Sequence, residues 1–167
     1  MKPNFARILV PVDFSPTSES AIEHAQELAA RFDARIELLH VVEDPIASGA
    51  WEPDASYLTI PELLDRFVED AERRLGDIKK PLMDAGITVE THVVTGAPAS
   101  GIVAAAQDDG CDLIVMGTHG RTGLSHMLMG SVAERVIRTA VCPVLTVRHR
   151  PAETVEAKAV AVEAVPS

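Results

Sequence analysis

The chain has 167 residues, 47% hydrophobic and 24% charged, with a formal net charge of -10 and a pI near 5.0. That length suits one domain able to bury roughly 70% of its extended surface, and the acidic balance excludes the basic stripe of a nucleic-acid-binding face. No apolar run approaches the ~18 residues that cross a bilayer, and Met1-Lys2-Pro3-Asn4-Phe5 lacks the apolar core of a signal peptide, so a cytoplasmic protein with neither nucleic-acid nor membrane partners is expected.

Arg7 to Val12 is an apolar run closed by Pro11 and Asp13, the carboxyl end expected of a buried parallel strand. Ser15-Pro16 then reads as an N-cap with proline at the first helical position, and Ala21, Ile22, Ala25, Leu28, Ala29 and Phe32 share one face of the helix that follows. Asp13 stands where open α/β sheets place ligands, but an aspartate there also serves as a turn residue that satisfies nearby N–H groups.

Arg35 to Val42 is the second strand, in which His40 reads as a packed residue without a ligating partner in its spacing. The connection from Glu43 to Pro61 is long and carries the only Trp and the only Tyr, Trp51 and Tyr57. A loop of that length either folds over a ligand or partner or is anchored to the core by its aromatics.

Leu64, Phe67, Val68, Ala71, Leu75, Ile78 and Leu82 mark an amphipathic helix over about 61–85, in which Gly76 and Pro81 predict a kink or break near Asp77. Thr88 to Thr95 alternates as a third strand, and Gly96-Ala97-Pro98 turns into a helix carrying Ile102, Val103 and Ala106. Cys111 and Cys142, each at the start of a later strand, are expected to be reduced structural thiols.

Asp112 to Met116 reads as a strand buried on both faces, and it runs straight into Gly117-Thr118-His119-Gly120-Arg121. Ten residues after Gly120 come Gly130-Ser131, and from there Val132, Ala133, Val136, Ile137 and Ala140 repeat at helical spacing. A strand, a glycine-bearing loop and a helix start make an anion site: glycines permit positive φ and close backbone approach, and the first helical turn has unpaired N–H donors. Ser131 adds a hydroxyl and Arg121 a cation, although Ser131 with Glu134 also fits a capping box that needs no ligand. His119 and His126, seven residues apart, are a poor metal pair, and His119 is read as a loop residue near phosphate. Val144 to Arg148 is a fifth strand, and the Ala-, Val- and Glu-rich segment 151–167 reads as a flexible tail beyond a domain of residues 1–150.

The pattern Gly117-x2-Gly120-x9-Gly130-Ser131, with Leu-Ile-Val-Met before it and Cys142-Pro143-Val144-Leu145 after it, closely resembles the ATP-binding branch of the universal stress protein family. Ile8 to Ser15 is similar to that family's first strand and turn, so the resemblance runs to about Arg148. No Gly-Lys-Ser/Thr P-loop and no Rossmann Gly-x-Gly-x-x-Gly occurs. Strands alternating with helices already imply a parallel sheet with helices on both faces; the resemblance implies a Rossmann-like α/β fold of the adenine nucleotide alpha hydrolase type, with strand order 3-2-1-4-5.

The resemblance further implies that Pro11, Val12, Asp13, Val41, Met116, Gly117, His119, Gly120, Arg121, Gly130, Ser131 and Val132 surround ATP, or ADP or AMP. Val41 would touch adenine through its backbone, and Asp13 would lie near a Mg2+ held by the phosphates. It also implies a homodimer through Val144 to Val147, an apolar edge strand. A small nucleotide-binding regulatory or stress-response protein is the expectation, with at most weak ATPase activity. The alternatives are a slow ATP-hydrolysing enzyme and a dimeric interaction module that binds no nucleotide.

Overall fold

The computed structural model describes residues 5–44, 59–119 and 129–149. Five strands alternate with four helices: β1 Arg7–Pro11, α1 Pro16–Phe32, β2 Arg35–Val42, α2 Ile60–Asp84, β3 Val89–Thr95, α3 Pro98–Asp108, β4 Leu113–Gly117, α4 Ser131–Thr139 and β5 Val144–Val147. All neighbours pair in parallel in the order β3-β2-β1-β4-β5. This is the strand order expected above.

The apolar runs become central strands because both faces of the sheet are covered. One layer packs Ile8, Val10, Ile36, Leu38, Leu113 and Val115 against α1 and α2; the other packs Leu9, Leu39, Ile114 and Met116 against α3 and α4. Alternate residues of one strand therefore enter different cores, which is why β1 and β4 read as continuous apolar runs rather than alternating ones. Gly101 lets α3 approach the sheet, since a Cβ there would lie 3.1 Å from a Val41 methyl.

Helix α2 departs from the sequence expectation. It runs unbroken over Ile60–Asp84 with Pro81 inside it. Pro81 lies in the last turn, where it removes one backbone bond, and Ala71, Leu75 and Leu82 are buried against the core on either side. The turn closes beyond it through Ala85 N–H to Pro81 O and Ile87 N–H to Leu82 O, both 3.1 Å. Packing of the apolar face outweighs the local propensity of Gly76 and Pro81.

Most of the connection carrying Trp51 and Tyr57, the residues Gly120, Arg121 and His126, and the tail 151–167 lie outside the described residues. Among the described residues no helix is long and apolar enough to cross a membrane.

Candidate functional site

The central strands pair only over Ile8–Leu113 and Leu9–Ile114, although β1 continues to Pro11 and β4 to Gly117. Beyond those pairs β1 follows β2, with Val12 N–H donating to Leu39 O at 2.8 Å, and β4 follows β5, with Thr118 N–H donating to Val147 O at 2.9 Å. Chain connections also leave these two strands in opposite directions, so the crevice lies at the topological switch point, where such sheets bind ligands.

The loop after β1 is closed by its own side chains. Asp13 Oδ1 accepts from the Ser15 N–H at 3.1 Å and from its hydroxyl at 2.6 Å, while Ser15 Oγ caps α1 by accepting from Ser18 N–H at 3.3 Å. The turn role anticipated for Asp13 is therefore formed. Between them Phe14 takes the left-handed conformation, φ 63°, which is costly for an aromatic residue. Its ring is held between His40, with centroids 4.7 Å apart, and the Arg74 guanidinium, 3.8 Å from the ring centre. His40 in turn donates from Nδ1 to Val12 O at 2.6 Å, so it is a packed strand residue that fixes the end of β1. A carbonyl only accepts, which places the proton on Nδ1.

The loop after β4 is built differently. Gly117 cannot carry a Cβ, which would lie 2.7 Å from Thr17 Cγ2 and 3.2 Å from the Thr17 carbonyl carbon, so the first turn of α1 rests directly on the end of β4. Gly130 donates its N–H to Thr118 O at 2.7 Å, closing the loop at its base, and a Cβ there would meet that same oxygen at 3.2 Å. Positive φ among the described glycines is confined to Gly86, Gly96 and Gly110. Gly117 and Gly130 are thus glycines for close approach rather than for a left-handed backbone, a correction to the argument from φ.

Gly130 is the N-cap of α4 and Ser131 its first helical residue, with no side-chain cap. The capping box open to Ser131 and Glu134 is not formed: a box needs the serine at the cap position, and Glu134 instead accepts from Arg138 at 3.3 Å. Exposed Ser131 therefore begins a helix whose first amides are not satisfied by a capping side chain. Helix α3 also starts without a side-chain cap, at Ala97-Pro98. The two starts border one groove of about 690 Å³, lined by Ala97, Pro98, Ala99, Ser131, Val132, Glu134, Arg135, Arg138 and Thr139. A larger hollow of about 840 Å³ lies at the amino ends of the strands, away from the switch point.

Of the residues singled out from sequence, the structure gathers Gly117, His119, Gly130, Ser131 and Val132 around the base of the second loop, with Thr118 Oγ1 and His119 Nδ1 3.0 Å apart. Pro11 ends the neighbouring strand, and Val12 and Asp13 follow it. The side chains of Met116 and Val41 pack in the α3–α4 core, leaving their main chains as the groups nearest the carboxyl edge. Thr118 was not singled out, yet its main chain joins β5, Gly130 and the loop, and it is buried. A small polar residue directly after an apolar run was its only sequence signal.

Burial pushes the Cys111 thiol up to about 12 and raises that of Cys142, with the neighbouring carboxylates adding to both effects. Both are held as neutral thiols, which fits a structural role.

Comparison with known proteins agrees with this architecture. Universal stress protein MJ0531 of Methanocaldococcus jannaschii is 41% identical over 149 residues, covering 86% of this chain and 82% of that protein. The solved structure of MJ0577, from the same organism, superposes with a TM-score of 0.77 at 36% identity, covering 88% of this chain and 98% of that one. A universal stress protein solved in complex with cAMP shares the fold, with a TM-score of 0.61 at 24% identity over 88% of this chain and 99% of that one. Residues 4–148 match the universal stress protein family, and the chain belongs to that family.

Proposed function

We propose that this chain is a small regulatory or stress-response protein that binds an adenine nucleotide, ATP or its di- or monophosphate, in the crevice between the loops after β1 and β4. The observation that carries the reading is the start of α4: a glycine cap, an exposed Ser131 at the first helical position and, among the described residues, no side-chain cap on its amides. Such a terminus favours an anion through its amides and its dipole. The described residues fit a polyphosphate, because Ser131 adds an exposed hydroxyl beside the first-turn amides and the groove also carries Arg135. Val12, Val41 and Met116 offer main-chain groups for the base, and Gly120, Arg121 and His119 belong to the phosphate loop. Asp13 is assigned to a Mg2+ bound by the phosphates, with Ser15 holding one carboxylate oxygen in place. The fold admits an adenine nucleotide elsewhere, in the universal stress protein solved with cAMP, and this supports the ligand class.

The test is titration calorimetry on two variants. Losing the Ser131 hydroxyl removes a charge-assisted hydrogen bond of about 1.5 to 3 kcal/mol, so Ser131→Ala weakens ATP binding roughly tenfold to a hundredfold. Gly120→Val abolishes detectable binding, and both variants keep a cooperative melt. Wild-type affinity in both would reduce the loop to a strand-to-helix connection.

The reading includes a homodimer through β5, which ends the sheet and leaves Leu145 38%, Ile137 42% and Val141 66% exposed. The Pro143 and Val147 carbonyls face β4, accepting from Ile114 and Thr118, so the strand's outward N–H groups are those of Val144 and Thr146. Thr146→Pro should therefore give monomers by light scattering without breaking the β4–β5 ladder; an unchanged dimer mass would place the interface elsewhere.

A further inference from the structure

The sheet face under α3 holds a cluster of polar groups that takes no part in the nucleotide reading. Glu37 of β2 is 2% exposed inside an otherwise apolar strand. Its Oε2 accepts from His92 Nε2 of β3 at 2.8 Å, and its Oε1 faces Arg7 Nε of β1 at 3.4 Å. The Arg7 guanidinium also donates to the main-chain oxygen of Asp109, the residue that ends α3. One ligand atom each from Glu37, His92 and Asp109 lies within 4.8 Å of the other two.

The geometry points to a divalent transition-metal site, of the Zn2+ class, formed by Glu37 Oε2, His92 Nε2 and an Asp109 carboxylate oxygen. An imidazole with two carboxylates is a donor set that Zn2+ accepts, and tetrahedral bonds of about 2.1 Å hold ligand atoms roughly 3.4 Å apart, so the Glu37–His92 pair at 2.8 Å must open slightly and Asp109, within 4.8 Å of both, must move inward. They come from two strands and a helix end, so the rigid sheet sets their spacing. Arg7 occupies the carboxylate oxygen that the metal does not use and ties the Asp109 main chain to the same point, as the outer partners of metal ligands do.

The field also favours a cation. The carboxyl end of α3, with its partial negative charge, terminates at Asp109. Access is open, since the His92 side chain is 37% exposed and Asp109 and Arg7 line the hollow at the amino ends of the strands. When the metal binds at Nε2, neutral His92 carries its one proton on Nδ1, and the hydrogen bond to Glu37 is exchanged for the metal bond.

The probe is Zn2+ added to the tag-free full chain after EDTA treatment and desalting, without nucleotide, with Co2+ as the spectroscopic substitute. One equivalent should bind, and Co2+ should show ligand-field bands of a low-coordinate site. His92→Ala and Asp109→Asn should each weaken binding at least about tenfold; Asp109→Asn should do so without lowering the melting temperature of the metal-free protein, whereas His92→Ala also removes a partner of buried Glu37 and lowers it. His24→Ala, on the opposite layer, should change nothing. Absence of saturable binding, or binding that survives both ligand variants, would overturn the site and leave the cluster as an ion-pair network that neutralises buried Glu37.

Discussion

The loops after β1 and after β4 leave adjacent strands at the same edge of the sheet and both lead into helices, yet they satisfy those helices in opposite ways. After β1, Asp13 binds Ser15 and Ser15 caps α1, while Phe14 is clamped between His40 and Arg74. After β4, the cap is a glycine, its N–H is returned to Thr118, and Ser131 stands exposed at the head of α4. The side-chain cap of α1 takes up one of its first-turn donors, Ser18 N–H, whereas α4 has no side-chain cap to do the same. On the proposed reading the crevice is therefore polarised, with the phosphate at α4 and α1 a fixed wall beside it.

Giving α4 a negative charge of its own is the strongest test of that polarity. Ser131→Asp should raise the melting temperature slightly, because an acidic first turn suits the helix dipole by about 0.3 to 1 kcal/mol. The same carboxylate should cost more than about a hundredfold in ATP affinity, by removing the hydroxyl donor and repelling the phosphates. Stability and affinity moving in the same direction would mean that α4 is not the anion end.

Next in size is Gly117→Ala, whose Cβ would strike Thr17. Overpacking there should cost about 1 to 3 kcal/mol in urea unfolding, and Thr17→Ser should restore part of it by removing the methyl at closest approach. No loss of stability would place the need for glycine at this position in the ligand alone.

The smallest effects are expected in the loop that is already closed. Ser15→Ala removes the α1 cap and the partner of Asp13 and should cost about 1 kcal/mol, with less effect on ATP affinity than Ser131→Ala. Asp13→Ala should weaken ATP binding more in Mg2+ than in EDTA. Equal losses in the two buffers would leave Asp13 with its turn role only.

Much of the α/β architecture could be read from the chain because each element's periodicity reflects its own burial. The continuous apolar runs of β1, β2 and β4 announced strands covered on both faces, and Ser15-Pro16 announced the start of α1, since a cap is a local bond between residues three apart. The glycine spacing likewise marked the second loop. Its reason was less legible. Gly117 is required by Thr17, a hundred positions away in the chain, and Gly130 by the Thr118 carbonyl. Local sequence carries no record of which atom a missing Cβ makes room for.

The same limit explains the other departures. Pro81 reads as a helix breaker, but the buried face of α2 keeps the helix whole, and Glu134 reads as half of a capping box until the helix is seen to begin one residue early, with Gly130 and not Ser131 at the cap. Glu37 sits in an apolar strand without any local mark of its partners, because Arg7, His92 and Asp109 reach it only when three elements come together. Sequence alone determined the elements, the alternation that makes the sheet parallel, and the family, because these rest on local propensity and on order along the chain. Tertiary structure decided which helix start is left open to an anion and which polar groups meet across the sheet, because both depend on distances between residues that the chain keeps far apart.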